Sequence, residues 1–231
     1  KRAIPTLLAM LQARDPPLKL RLMKLAEKQS LVKTDFTYAA TYRERGIAGF
    51  QGLGEEAKEA LPELVRLFHV RETNTTWVAA LAMARMGPEA DGILREGLTN
   101  QYEWTRAGSA VALSHAGSNA WAAVPDLVGR LKDESSHVRE WAAYSLGEIG
   151  QQAEIVVPAL VGRLEDPVRS VSESAVRALA EFGERATVAV PALRKAASET
   201  EGQEGALHST ITNALHDIEV RREPDGGQDR E

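Results

Sequence analysis

Apolar residues in this 231-residue chain recur at helical spacing. Val138, Ala142, Leu146 and Ile149 lie three and four apart, which gathers them into one stripe on a helix of 3.6 residues per turn. A second stripe follows over Val157, Leu160, Val161 and Leu164, and it echoes Val124, Leu127, Val128 and Leu131 one step earlier. Helices of about 11 residues are marginal alone in water, so successive pairs must stack to bury their stripes in one continuous core. A polar residue at Leu146 is therefore expected to harm its own pair and the next, at a cost of a few kcal/mol.

Glycine and proline punctuate these stripes in one register. An apolar residue precedes glycine at Leu53-Gly54, Met86-Gly87, Ala116-Gly117, Ile149-Gly150 and Phe182-Gly183, with glycine spacings of 33, 30, 33 and 33. Eight residues after four of these glycines stand Leu61-Pro62, Val124-Pro125, Val157-Pro158 and Val190-Pro191. Glycine is favoured just past a helix C-terminus and proline in a first helical turn, so each unit reads helix, turn, helix. The predicted map has helices over 3–13 and 17–29, then five pairs: 35–53 with 57–70, 74–86 with 89–98, 103–116 with 121–132, 136–149 with 154–165, and 169–182 with 187–198. A closing helix over 205–221 carries Leu207, Ile211, Ala214, Leu215 and Ile218, and residues 222–231 read as a disordered tail. Ile4-Pro5 with Leu7, Leu8 and Leu11 matches Val124-Pro125 with Leu127, Val128 and Leu131, so the chain opens at a second helix. Residues upstream of Lys1 are expected. The second pair departs from the pattern, with Arg95 where proline is expected and a unit three residues short. Gly92 and Gly97 weaken its second helix, and two readings arise there: a shorter turn, which is the preferred one, or a local irregularity or bend that could serve as a hinge.

The phrases Val138-Arg139, Ala142-Ala143, Leu146-Gly147-Glu148-Ile149-Gly150 and Val157-Pro158-Ala159-Leu160 resemble the bacterial HEAT-like repeat, a short class also seen in phycobilisome lyases. The resemblance is strong over 103–198, moderate over 35–98 and weak at both ends. A tetratricopeptide unit would close its second helix with proline, and an ankyrin unit would show Thr-Pro-Leu-His, which is absent. The resemblance implies an all-α fold, a right-handed α-α superhelix over residues 1–221, with the second helices lining its concave face. It also likens Asp133 and Arg139 to an Asp and Arg ladder that ties units together, a structural role.

Composition removes several chemistries. With no cysteine there is no disulfide, thiolate metal site or cysteine nucleophile. The 28 basic and 33 acidic residues give −5, the wrong sign for wrapping a phosphate backbone unless the cations segregate. They do so at the start. Residues 1–33 hold Lys1, Arg2, Arg14, Lys19, Arg21, Lys24, Lys28 and Lys33 against Asp15 and Glu27, which leaves −11 for the remainder. This basic segment reads as a solvated helix face. No stretch approaches the roughly 18 apolar residues of a membrane span.

Candidate binding residues follow from placing the buried stripe inward. Arg66, Arg130, Arg163 and Lys195 then stand near the open side of successive second helices, with Arg130 and Arg163 33 apart. Two readings arise: a basic ladder that grips an acidic peptide or phosphate-bearing ligand, or ion pairs with neighbours such as Asp126, Glu165 and Asp166. Gly129 and Gly162 sit mid-helix, where each costs about 1 kcal/mol relative to alanine. Close packing between second helices is the first account of them, and room for a bound chain the second. Trp104, Trp141 and Tyr144 fall away from the stripe, and Trp121 sits beside a turn. Such aromatics suit a protein contact or fold down as a cover over alanine-rich units.

Enzymatic readings find no support. The histidines at 69, 115, 137, 208 and 216 show no His-Glu pair and no i, i+4 spacing, and the His-Glu motifs of HEAT-type di-iron hydroxylases are missing. No phosphate loop, nucleophile elbow or positioned carboxylate pair appears. The leading expectation is a non-catalytic, cofactor-free, monomeric scaffold binding another protein or a peptide on its concave face. The alternatives are a lyase-like or chaperone-like partner of a chromophore protein, and nucleic-acid or anionic-surface binding through the basic start. A soluble domain is expected, cytoplasmic, or in the bacterial cell envelope if a signal or anchor precedes Lys1.

Overall fold

The computed structural model describes residues 2–27, 38–70, 72–201 and 206–220. The chain divides into two compact units, Lys1–Ile93 and Leu94–Glu231. The division falls inside the irregular second pair. Among the described residues there is no strand, and the fold is an all-helical repeat solenoid.

The first unit comprises α1 (Ile4–Leu11), α2 (Pro17–Glu27), α3 (Ala39–Leu53), a 3-10 segment (Gly54–Ala60), α4 (Leu61–Phe68), α5 (Thr73–Met83) and most of α6 (Pro88–Gly97). α1 packs on α3, α3 on α5, and α4 on α5. Leu11, Phe50, Leu64, Phe68, Met83 and Met86 are fully buried between them. Lys1, Lys28 and Lys33 of the basic start lie outside the described residues.

The second unit contains α7 (Glu103–Ser114), a 3-10 segment (Gly117–Ala123), α8 (Val124–Arg130), α9 (Ser136–Ile149) and α10 (Ala153–Val161). It continues with α11 (Arg169–Phe182), a 3-10 segment (Gly183–Ala189), α12 (Val190–Thr200) and α13 (Leu207–Val220). The first helices α7, α9, α11 and the closing α13 pack in series, with α8 against α9 and α10. Val138, Ala142, Leu146 and Ile149 are all buried, as the stripe predicts, and so are Val157, Leu160 and Leu164. Gly150 closes α9 with φ 61° and its N–H on the Leu146 carbonyl, the left-handed cap that favours glycine.

Three departures from the predicted map have physical causes. Seven residues that begin with the glycine form 3-10 turns in three pairs, which shortens α4, α8 and α12 at their starts. In the second pair this turn is absent: Gly87, with φ 94°, passes directly to Pro88, which opens α6 seven residues ahead of Arg95. The unit is short because its connector is short. In the fourth pair helix replaces the 3-10 turn, so α10 starts at Ala153 and carries Pro158 inside it rather than in its first turn. The predicted tail over 222–231 lies outside the described residues.

Candidate functional site

The strongest electrostatic feature of the second unit is a ladder of arginines and aspartates in successive pairs. Arg106 of α7 places Nε 2.9 Å and Nη2 2.7 Å from the two Asp133 carboxylate oxygens, while its Nη1 donates to the Asn100 carbonyl at 2.9 Å. Arg139 of α9 repeats this one unit later, with Nε and Nη2 each 2.9 Å from Asp166 and Nη1 on the Asp133 carbonyl at 3.0 Å. Each aspartate also accepts a backbone N–H two residues on, from Ser135 and Val168. The Asp133 and Asp166 carboxylates are almost wholly buried, and burial alone would raise them. The arginine hydrogen bonds, the backbone N–H and the arginine charges outweigh it and hold both below the ordinary carboxylate value.

The sequence expectation paired Asp133 with Arg139, six residues on. Both are rungs of the ladder, but the contact between them is through the Asp133 backbone carbonyl. Each carboxylate partner stands 27 residues from its arginine because the second helix of a pair returns the chain to the start of its own first helix, while the Arg139 bond to the Asp133 carbonyl links one pair to the next. Arg106 escaped notice, although its 33-residue spacing to Arg139 matches that of Asp133 to Asp166.

The four cations expected on the second helices divide into two registers. Arg66 and Lys195 stand four residues after their prolines, and Arg130 and Arg163 stand five after theirs. Arg66, in the first unit, forks onto Glu63 at 2.6 and 2.8 Å. Arg130 reaches Asp133 at 3.2 Å and Arg163 reaches Asp166 at 3.6 Å, so each buried aspartate serves two arginines. Lys195 bridges to Glu165 at 2.7 Å and Glu199 at 3.6 Å. Asp126 pairs with Arg95 at 2.8 Å.

The register four residues after proline holds glycine in the first two of the three complete pairs of the second unit. Both Gly129 and Gly162 are exposed. A Cβ on Gly129 would meet nothing within 4 Å, and one on Gly162 would touch only carbonyls of its own helix, Ala159 at 3.4 Å and Pro158 at 3.9 Å. Neither has positive φ. The account of these glycines as close packing between second helices is thus wrong: they leave bare backbone at the surface. Sequence shows that a glycine is present but not whether another helix covers it.

The aromatic residues lie on the first helices. Trp104 stacks on His137 with ring centroids 4.8 Å apart, and Trp141 meets Tyr144 edge to face at 5.6 Å. Both tryptophans are half-buried, while Tyr144 is 40% exposed and Trp121 61%. Burial and then the neighbouring Glu148 and Glu181 push the Tyr144 hydroxyl above its ordinary value. His208 is engaged by the end of α12, through the Ala197 carbonyl at 3.1 Å and Thr200. Among the described residues no group of three His, Asp or Glu side chains is placed to hold a metal ion, and no helix is long and apolar enough to cross a membrane.

Comparison with known proteins bears on the fold. The family model for HEAT repeats matches residues 93–173. No curated protein matches the chain. Among solved structures, the phycocyanin lyase complex of CpcE and CpcF from Nostoc sp. is similar at TM-score 0.56 and 19% identity, over 68% of this chain and 98% of that one. A designed armadillo repeat protein in complex with the peptide (KR)4 aligns at TM-score 0.52 and 19% identity, over 93% of this chain and 99% of that one. An engineered protein aligns at TM-score 0.51 and 20% identity, over 87% and 97%. The glycine-punctuated helix pairs and 33-residue period thus belong to a chain that is similar to HEAT repeats over residues 93–173 and shares the fold of helical repeat solenoids.

Proposed function

We propose that the chain is a non-catalytic interaction scaffold whose second-helix face in the second unit receives an extended segment of a partner protein. The observation that carries this reading is the open surface at Gly129 and Gly162. The two glycines stand at helix ends rather than mid-helix, Gly129 next to last in α8 and Gly162 as the cap of α10, and no neighbouring helix uses the space either leaves. Bare backbone 33 residues apart in two successive helices offers a shallow track in which another chain can lie close. Arg130 and Arg163 flank it, each sharing an aspartate with a second arginine, and Lys195 continues it in the next pair. Two neighbours of like fold are held with another polypeptide, one with a peptide and one as a CpcE and CpcF complex, which agrees with a fold suited to binding. Trp104, Trp141 and Tyr144, with Arg66 in the first unit, are secondary contact candidates under the same reading.

Selection of peptides from a random display library on the purified chain, followed by titration against Gly129→Leu/Gly162→Leu, tests the track. The double variant is expected to melt no lower than the parent, since leucine is the better helix former and meets no neighbour, and to lose the selected peptides. Undiminished binding to the folded double variant would overturn the placement.

A further inference from the structure

The ladder of the second unit has a counterpart in the first that lacks one member. Arg106, Arg139 and Arg43 each stand 11 residues before the glycine that follows their helix, Gly117, Gly150 and Gly54. Twenty-seven residues beyond the first two are Asp133 and Asp166. Twenty-seven beyond Arg43 is Val70, eight residues after Pro62 just as Asp133 is eight after Pro125. The guanidinium of Arg43 is nonetheless seated like the others. Its Nη1 donates to a backbone carbonyl, that of Ala13, at 2.8 Å, as Arg106 and Arg139 do to Asn100 and Asp133. In those two the remaining Nε and Nη2 edge grips the aspartate. In Arg43 that edge has no carboxylate within ion-pair distance among the described residues.

Arg43 and Val70 line one cleft of about 580 Å³ at the junction of the α1 end, the α3 start and the α4–α5 connection. That volume lies within the roughly 300–1,000 Å³ typical of ligand sites. Arg14 and Arg66 also line it, with Asp15 and Glu72. The acidic groups are already engaged: Asp15 by Lys19 at 2.6 Å and the Ala39 N–H at 2.8 Å, with the Arg43 charge felt beyond ion-pair distance, and Glu72 by Arg14 at 2.8 Å and Thr75 at 2.9 Å. The guanidinium edge left over is a planar two-donor fork that matches a carboxylate.

We propose that this cleft is a carboxylate-binding site, in which an Asp or Glu side chain or the C-terminal carboxylate of a bound polypeptide docks on Arg43 in the place that Asp133 and Asp166 fill in the second unit. A carboxylate is favoured over phosphate because the repeat's own ligand there is a carboxylate, and because Asp15 and Glu72 oppose a dianion in the same space. The site is independent of the second-helix track.

Three probes, followed by calorimetric or NMR titration, separate the sources: a capped glutamate-containing peptide, a neutral peptide with a free C-terminus, and inorganic phosphate. At least one carboxylate probe is expected to bind the parent, and to bind about tenfold or more weakly to Arg43→Gln and to Val70→Asp. Val70→Asp supplies the missing internal partner and is expected to melt no lower than the parent. If Val70→Asp does not fold, Arg43→Lys, which keeps the charge and removes the fork, replaces it with the same expected loss. Phosphate binding alone, no carboxylate binding, or equal binding to parent and variants overturns the proposal.

Discussion

Asp133 sits between Arg106 and Arg130, and Asp166 between Arg139 and Arg163, so each buried anion answers two cations. Both carboxyls are held below their ordinary folded-out value of about 3.9. A group whose pKa is depressed by folding contributes stability that is present above the unfolded value and lost as pH falls through that value toward the folded one. The melting temperature is therefore expected to fall as pH is lowered from about 5 to 2. Asp133→Asn/Asp166→Asn should start lower at neutral pH and show a shallower acid slope; equal slopes in a scanning calorimeter would remove the aspartates from the account. At this scale residue types were legible and partners were not. Asp133 and Arg139 could be singled out by their repetition, but the carboxylate that each arginine grips is fixed by how the two helices of its own pair fold back on each other, a relation of 27 residues that no local pattern displays.

At the scale of the helix, glycine has opposite meanings in neighbouring elements. A Cβ on Gly147 of α9 would stand 2.8 Å from the Ala178 Cα and 3.0 Å from its Cβ, so this glycine lets α9 and α11 approach. Gly129 of α8 faces open space. Gly147→Ala is expected to force the two helices apart and destabilise by about 1–3 kcal/mol, whereas Gly129→Ala should stabilise by up to about 1 kcal/mol. Denaturant titration of the two single variants checks the opposite signs. The helix ends were largely readable, since Gly150 and Pro125 act where their chemistry requires. The connectors were less so: the residues after a glycine wind as a 3-10 turn in Gly183–Ala189, where the glycine has ψ −131°, and as α-helix at the start of α10, where Gly150 has ψ 27°, a choice that the shared glycine does not display.

For the molecule as a whole, the period was the most readable property, because a stacked repeat writes its geometry into every unit. Surfaces were the least readable, since openness at Gly129 and the edge of Arg43 that meets no carboxylate among the described residues are set by neighbours that sequence does not place. The ladder has one more consequence. Because each arginine grips the aspartate that closes its own pair, each pair is a carriage braced within itself, and a train can be shortened by one carriage without breaking the brace of the one before it. Excision of residues 134–166 removes 33 residues and joins Asp133 to Pro167, recreating the native Asp166-Pro167 step while leaving Arg106 its partner. The shortened chain is expected to unfold in a single transition, with helical content reduced in proportion to its length. Circular dichroism during melting would show a broad, multiphasic loss instead if the pairs were specific to their present neighbours. Repeat number in such a chain can then change by whole steps, and the length of its second-helix face with it.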